Sequence, residues 1–255
     1  YSFRWFQPKQ PLKMGWVRPP LILKKDKMKI YFVASNDQFI KLIIANLAAM
    51  GHDISTSQEF DIQKAGFADV IWCEWADNNA LLVQDYITTA TKILRVHDYE
   101  AYTDVWNQLN PRAFDHVIFV AQHIADKVQS RCKKPFTNYS IIPNYIDINN
   151  YSDKGKPENN KIAYAGYVCR KKGIGELLMI AESMPEYEFH IAGTLQEADI
   201  LHWLTDNKPS NVFLSEWTDN IAEFFKDKSF VISTSLRESF GVATIEAMLC
   251  GCIPI

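Results

Sequence analysis

The segment Arg237-Glu238-Ser239-Phe240-Gly241-Val242-Ala243-Thr244-Ile245-Glu246-Ala247-Met248 decides the fold of this chain. The preceding residues 230–235 are rich in β-branched side chains, which predicts a short buried strand. Gly241 permits a tight turn after that strand, and a helix is expected to begin directly afterwards. Backbone amides at such a helix start bind anions, and Glu238 and Glu246 lie on either side of it. The segment therefore predicts a site for a phosphate and for sugar hydroxyls.

The segment and the residues after it resemble the E-x7-E element of retaining GT-B glycosyltransferases of family 4, the group 1 type. The resemblance rests on an ordered set of residues: Glu238, Phe240, Gly241, Glu246, Ala247, Met248, Gly251 and Pro254. It implies that Glu246 holds ribose hydroxyls and Glu238 the hydroxyls of a donor sugar. Ser239, Phe240, Gly241 and Thr244 complete this side of the implied donor site. Outside such a motif, Glu246 would be interpreted as a solvated helix carboxylate.

Strand and helix patterns alternate on both sides of residue 150, which predicts an α/β protein with two doubly wound parallel sheets. In the first half we expect strands at 28–34, 53–57, 68–73, 92–96 and 116–120, and helices at 38–50 and 79–86. In the second half we expect strands at 161–165, 187–192, 211–214 and 230–234, and helices at 175–183, 197–204 and 221–225.

The junction between these halves carries its own signal. Residues 141–147 resemble the I-P-N-G-[VI]-D sequence that joins the two Rossmann-like domains of GT-B chains, with Tyr145 in place of the glycine. The polar stretch 152–160 has the composition of an interdomain loop. We therefore expect a basic and aromatic segment at 1–27, an acceptor-side domain at 28–150 and a nucleotide-sugar domain at 151–255, facing each other across a cleft. The chain does not begin with methionine, and it ends at Ile255, where the motif should lead into its next strand. We therefore interpret it as a fragment that is C-terminally truncated, with an incomplete second domain.

A second anion-binding loop follows the expected strand at 161–165. Gly166 to Gly173 is similar to the G-R-x(3,5)-K-G loop of the same family, in which an arginine and a lysine hold the donor diphosphate. Lys172 matches the lysine, and Gly166 and Gly173 match the glycines. Tyr167 occupies the position of the family's arginine. Arg170 or Lys171 would then have to supply the positive charge that this arginine provides. The alternative interpretation is a solvated cluster of cations.

His97 ends the strand at 92–96 and resembles the cleft histidine of many relatives. The resemblance implies a hydrogen bond to the transferred sugar or to the acceptor, while a purely structural histidine is the alternative. No His, Asp and Glu grouping predicts a metal site, and we expect no cofactor. The five cysteines show no C-x-x-C spacing, which predicts neither disulfides nor zinc and indicates a reducing cytoplasm.

Charge is distributed unevenly along the chain. Residues 1–29 hold eight of the 27 Lys and Arg residues and one of the 30 acids, together with several aromatic and proline residues. Such a segment could contact an anionic membrane surface peripherally, although a linker or a tail of an upstream domain is the favoured interpretation. The rest of the chain is acidic, which argues against nucleic acid as a partner.

The resemblance implies transfer of a sugar, with retention of configuration, from a nucleotide diphosphate to a hydroxyl of a glycan, a lipid-linked saccharide or another acceptor. Two alternatives stay open. One is a non-catalytic module that binds nucleotide sugars, which the Tyr167 departure makes plausible. The other is a nucleotide-sugar 2-epimerase, whose acidic and histidine catalytic set we do not find in register.

Overall fold

The computed structural model of this chain describes residues 27–132, 136–152, 155, 158–197, 200, 204 and 206–255. The predicted basic segment 1–27 lies outside them except for Lys27, and most of the predicted helix 197–204 does too. Membrane contact by that segment therefore stays a prediction.

The first sheet has six parallel strands in the order β2-β1-β3-β4-β5-β6. Its strands are β1 (Lys29–Ala34), β2 (Asp53–Ser57), β3 (Val70–Glu74), β4 (Thr91–Val96), β5 (His116–Phe119) and β6 (Tyr139–Ile141). Four helices connect them: α1 (Lys41–Ala49), α2 (Ile62–Gly66), α3 (Asn78–Asp85) and α4 (Gln122–Arg131). Successive residues of β1 pack into separate apolar clusters, with Tyr31 and Val33 on one face and Phe32 on the other. Covering of both faces explains why β1 is an almost unbroken apolar run.

The second sheet has five parallel strands in the order β11-β10-β7-β8-β9. They are β7 (Lys161–Ala165), β8 (Glu188–Ala192), β9 (Val212–Ser215), β10 (Phe230–Val231) and β11 (Ile253–Pro254). The helices α5 (Ile174–Ser183), α6 (Ile221–Phe225) and α7 (Val242–Leu249) pack on it. Along β7, Ile162 and Tyr164 join one core cluster and Ala163 joins another, so this sheet is also covered on both faces.

The predicted α/β architecture of two parallel sheets is confirmed, and the sheets lie on either side of residue 150. The bounds predicted for β2, β7 and α6 match the structure. The sequence analysis missed α2, α4 and β6, and it made β10 too long, since only Phe230 and Val231 pair with neighbouring strands.

Candidate functional site

A cavity of about 220 Å³, here the loop cavity, lies at the carboxyl edge of the second sheet. Its walls come from the loop after β7, the loop after β10 and the start of α7. Six residues predicted for the donor site line it: Gly166, Lys172, Glu238, Ser239, Gly241 and Thr244. The carboxyl edge of parallel strands is where open α/β sheets bind ligands. The structure thus brings together residues that are 78 positions apart at the extremes.

Two glycines determine the shape of this cavity. Gly173 has a φ of 69°, and a Cβ atom added there would lie 1.9 Å from the carbonyl oxygen of Thr234. Only glycine therefore lets the loop after β7 lie against the loop after β10. Gly241 has a φ of 67° and directly precedes α7, so its left-handed conformation turns the chain into that helix.

Lys172 and Glu238 both line the loop cavity and form an ion pair there. The Lys172 Nζ atom lies 2.5 Å from Glu238 Oε1, and the Ser235 hydroxyl lies 2.6 Å from the same oxygen. The two charged side chains are 22% and 35% exposed. An ion pair open to solvent contributes little to stability, so an incoming anion can take over the lysine at small cost.

Glu246 lines an adjoining cavity of about 300 Å³ that shares Phe39, Gly166 and Trp217 with the loop cavity. Burial raises the pKa of Glu246, and a hydrogen bond from the Tyr151 hydroxyl at 2.6 Å opposes that rise. Burial and the neighbouring Glu246 in turn raise the pKa of Tyr151. The sequence analysis missed Tyr151, which is 95 residues from Glu246 and carries no motif of its own.

The other cations of the predicted site point elsewhere. Arg170 NH1 lies 2.5 Å from Glu197 Oε2, and the Arg170 side chain is 67% exposed. Lys171 pairs with Asp98 of the first domain. Neither residue lines the loop cavity or the adjoining cavity, nor does Phe240. Their roles in donor binding stay predictions that this arrangement does not favour.

His97 belongs to a buried cluster formed by Glu74, Arg95, His97 and Asn144. Glu74 is fully buried, and its Oε1 lies 2.8 Å from both Arg95 NH1 and His97 Nε2. Arg95 NH2 also donates to Asn144 Oδ1 at 2.9 Å. The His97 ring stacks against both Trp75 and Phe39, with centroid distances of 4.1 and 5.0 Å, and these two rings also contact each other. His97 is therefore a neighbour of the cavity wall, and it is Phe39 that lines the cavity.

A larger cavity of about 730 Å³, here the N-terminal cavity, lies at the carboxyl edge of the first sheet. Trp75 lines it with a φ of 84°, a strained conformation for a bulky residue of the kind that clusters at functional sites. Glu100 also lines it and is only 2% exposed; its Oε1 accepts the amides of Ala76 and His97. Among the described residues, nothing bonds to Glu100 Oε2, and burial raises the pKa of this carboxyl group.

The described part of the chain contains no group of three His, Cys, Asp or Glu residues placed to hold a metal ion. All five cysteines are free thiols. No helix in the described ranges is long and apolar enough to cross a membrane.

Part of the chain is similar in sequence to a curated glycosyltransferase. It is 26% identical over 126 residues to a GDP-mannose:cellobiosyl-diphosphopolyprenol alpha-mannosyltransferase of Xanthomonas campestris. That match covers 45% of this chain and 33% of the relative, so the chain spans about a third of the length of that curated protein.

Solved structures show the fold. The Anabaena protein HepE, in complex with UDP and glucose, matches with a TM-score of 0.68 at 18% identity, over 89% of this chain and 80% of HepE. The lipopolysaccharide outer core galactosyltransferase WaaB, in its apo form, matches with a TM-score of 0.63 at 14% identity, over 89% and 80% of the two chains. The molecule therefore has the GT-B arrangement of two parallel α/β sheets. Residues 148–255, which carry Lys172, Glu238 and Glu246, match the family model described as glycosyl transferases group 1.

Proposed function

We propose that this protein transfers a sugar from a nucleotide diphosphate donor to an acceptor hydroxyl, with retention of configuration. The observation that carries the proposal is the convergence of the Lys172 ammonium and the start of α7 on one cavity. The match of residues 148–255 to group 1 glycosyl transferases and the similarity to a mannosyltransferase support it.

The proposed chemistry depends on stabilising the leaving group. When the bond between the sugar and the diphosphate breaks, its electron pair passes to the diphosphate. Lys172 and the amides of the Gly241 turn would bind the diphosphate more tightly in the transition state, where its negative charge has grown, than in the intact donor. This difference lowers the barrier. The acceptor oxygen then bonds to the same face of the sugar, and its proton passes to the leaving phosphate. Because this chain supplies the positive charge itself, we propose that no metal ion is required.

The two carboxylates would hold the donor rather than act as bases. Glu246 lies in the adjoining cavity with its orientation set by Tyr151, where it can accept hydrogen bonds from ribose hydroxyls. Glu238 lies at the loop cavity beside Lys172, where it can accept them from the transferred sugar once Lys172 turns to the phosphate. His97, held by Glu74, would act through the Phe39 and Trp75 rings that it contacts.

We place the acceptor in the N-terminal cavity, because Phe39 links the two regions. Phe39 lines the loop cavity, and its ring lies 5.9 Å from that of Trp75, which lines the N-terminal cavity. Among the residues that the structure describes, the lining includes Glu59, Asp77, Glu100 and Asp104 and no Lys, Arg or His. Such a surface repels phosphate and suits an uncharged or amine-bearing saccharide stacked on an aromatic ring.

The test is a panel of UDP- and GDP-sugars, each incubated with the full chain and a mixture of saccharide acceptors, with products identified by mass spectrometry. Addition of one hexose to an acceptor, with the donor's anomeric configuration kept in the NMR spectrum, is the expected result. Donor binding without turnover would favour the binding module, and isomerisation of the donor without acceptor would favour the epimerase. Activity that disappears with EDTA would contradict the metal-independent reaction.

Two lysine variants separate chemistry from general effects of charge. Lys172→Met should lower turnover by about 10²–10³-fold, the usual cost of removing one transition-state charge contact. Lys226→Met is the matched control, because Lys226 pairs with Glu223 on an exposed surface. Equal turnover of Lys172→Met and wild type would remove the basis of the proposal.

A further inference from the structure

Asp98 makes the charged contacts between the two domains beside the loop cavity. It directly follows His97 in the loop after β4, and its side chain is 13% exposed. Arg237 Nε lies 3.0 Å from Asp98 Oδ1, and Arg237 NH2 lies 3.4 Å from Oδ2. Lys171 donates to the same Oδ2 atom. One carboxylate of the first domain thus binds both loops that form the loop cavity in the second.

The positions of Lys171 and Arg237 in the sequence link these contacts to the proposed site. Lys171 directly precedes Lys172, and Arg237 directly precedes Glu238. An outer pair of contacts to Asp98 therefore lies one residue from the inner ion pair of Lys172 and Glu238. Any shift of Asp98 relative to the second domain acts on the backbone that carries both functional side chains.

The two loops do not need Asp98 to hold each other. The Leu236 amide donates to the Lys171 carbonyl at 3.3 Å, and the Thr234 hydroxyl donates to the Lys172 carbonyl at 3.1 Å. The close packing at Gly173 ties the same loops. What Asp98 adds is a connection to the other domain.

On its own side, Asp98 lies in a loop that is held by internal hydrogen bonds. Glu100 Oε1 accepts the amide of His97 at 3.1 Å, and the Glu100 carbonyl accepts the Trp106 indole at 2.7 Å. Tyr102, two residues further on, places its ring 3.5 Å from the Arg237 guanidinium carbon. Arg237 is thus held by a carboxylate and by an aromatic face of the first domain, two favourable contacts for a guanidinium group.

We propose that Asp98, with Tyr102, is a positioning residue that docks the first domain onto the two donor loops and so sets the closed geometry for transfer. Burial acts to raise the pKa of Asp98, but hydrogen bonds from Lys171 and Arg237 outweigh it and lower the pKa, so the carboxylate is charged at neutral pH. The proposal rests on the proposed function: docking brings the acceptor side to the two loops that carry Lys172 and Glu238, and these loops bind each other directly.

The experiment compares wild type with Asp98→Asn, with Asp98→Glu as the conservative variant and Asp53→Asn as the matched control. Asp53 forms an exposed ion pair with Lys27, distant in sequence from both donor loops. At saturating donor and acceptor, Asp98→Asn should lower kcat by about tenfold or more, because a displacement near 1 Å suffices for such losses. Asp98→Glu should recover most of that loss. The Kd of UDP and GDP, measured by calorimetry, should stay within about twofold, since the donor loops hold each other.

A second measurement is independent of turnover. Amide hydrogen exchange of residues 98–102 and 235–238 should be faster in Asp98→Asn than in wild type and unchanged in Asp53→Asn. Arg237→Met should increase the exchange rates of the same segments. In the double variant with Asp98→Asn, the increase should be smaller than the sum of the increases in the two single variants. If wild type transfers no sugar, the proposed function fails, and hydrogen exchange still decides whether Asp98 docks the domains. Unchanged exchange in Asp98→Asn, wild-type kcat, or a nucleotide Kd that weakens as much as kcat falls would each overturn the proposal.

Discussion

The two sides of the cleft hold their charges in opposite ways. On the first domain, Glu74 and Arg95 are 0% and 2% exposed and are satisfied by one another and by His97. On the second domain, Lys172 and Glu238 are 22% and 35% exposed, and Arg170 is 67% exposed. A buried ion pair that loses one partner leaves a charge out of water, whereas an exposed pair can exchange its partner for solvent or ligand.

This difference in exposure indicates different roles for the buried cluster and for the exposed Lys172–Glu238 pair. The buried cluster cannot change partners without a large loss of stability, so it serves to fix the rings of Trp75 and Phe39. The exposed pair can release Lys172 at small cost, as the proposed anion site requires. Changes in the buried cluster should therefore be seen mainly in stability, and changes to the exposed Lys172–Glu238 pair mainly in binding and turnover.

Glu74→Gln should have the largest effect on stability. It leaves the buried Arg95 guanidinium without a counter-charge, which costs about 3–5 kcal/mol. Urea denaturation followed by tryptophan fluorescence measures the free energy of unfolding. Glu223→Gln, the same substitution in an exposed pair with Lys226, should cost less than about 0.5 kcal/mol. Similar losses in the two variants would contradict the distinction between the buried and the exposed side.

The same contrast explains what the sequence could predict. Glu238, Gly241 and Glu246 lie within nine residues of one another, so their turn and helix are local properties that a motif records. The buried cluster joins Glu74, Arg95 and Asn144, whose contacts span 21 and 49 residues. Ordinary strand positions supply two of these residues, and nothing in the local pattern indicates that they meet.

The missed helix α4 has a similar explanation. Its sequence is mostly polar, and only Ile124, Ala125 and Val128 are buried. Its N-terminal flanking residue, Ala121, provides no side-chain cap, so the usual start signal is missing. By contrast, Asp77 caps the predicted helix α3 through its carboxylate. Tertiary packing of a short apolar stripe, rather than local propensity, determines α4.

Tyr151→Phe should have the next largest effect, because Tyr151 gives Glu246 its hydrogen bond. Loss of a hydrogen bond to a charged group costs about 1.5 kcal/mol at neutral pH. The pKa of Glu246 is raised in the folded protein, so the folded state keeps a proton that the unfolded chain has released, and stability falls as the pH rises through that interval. The variant raises this pKa further. Its destabilisation should therefore be largest at neutral pH and should shrink as the pH falls through the raised pKa of Glu246, because the carboxyl group is then protonated in both folded proteins.

Urea denaturation of wild type and Tyr151→Phe at several pH values measures this dependence. Tyr145→Phe is the matched control, since Tyr145 is 52% exposed. A loss that is the same at every pH would mean that Tyr151 acts through packing and not through the Glu246 carboxylate.

Lys172→Met should affect stability less, in spite of its large expected effect on turnover. The pair with Glu238 is partly exposed, so its loss should lower the free energy of unfolding by about 1 kcal/mol or less. Denaturation of the same preparation used for the turnover assay gives both values. If Lys172→Met lowers the free energy of unfolding as much as Glu74→Gln does, Lys172 is a structural residue. The distinction between the buried cluster and the exposed pair would then fail.

Arg170→Ala should have the smallest effect, and it tests the weakest of the sequence-based assignments. The Arg170 side chain lies on Glu197 and outside both cavities of the second domain, so its loss should change stability by less than about 0.5 kcal/mol. Titration of UDP and GDP should give a Kd within about twofold of wild type, whereas Lys172→Met should weaken binding clearly. If Arg170→Ala weakens nucleotide binding as much as Lys172→Met, then Arg170 leaves Glu197 when the diphosphate arrives. The loop after β7 would in that case supply two mobile cations, and the arginine missing at Tyr167 would have its replacement three residues later.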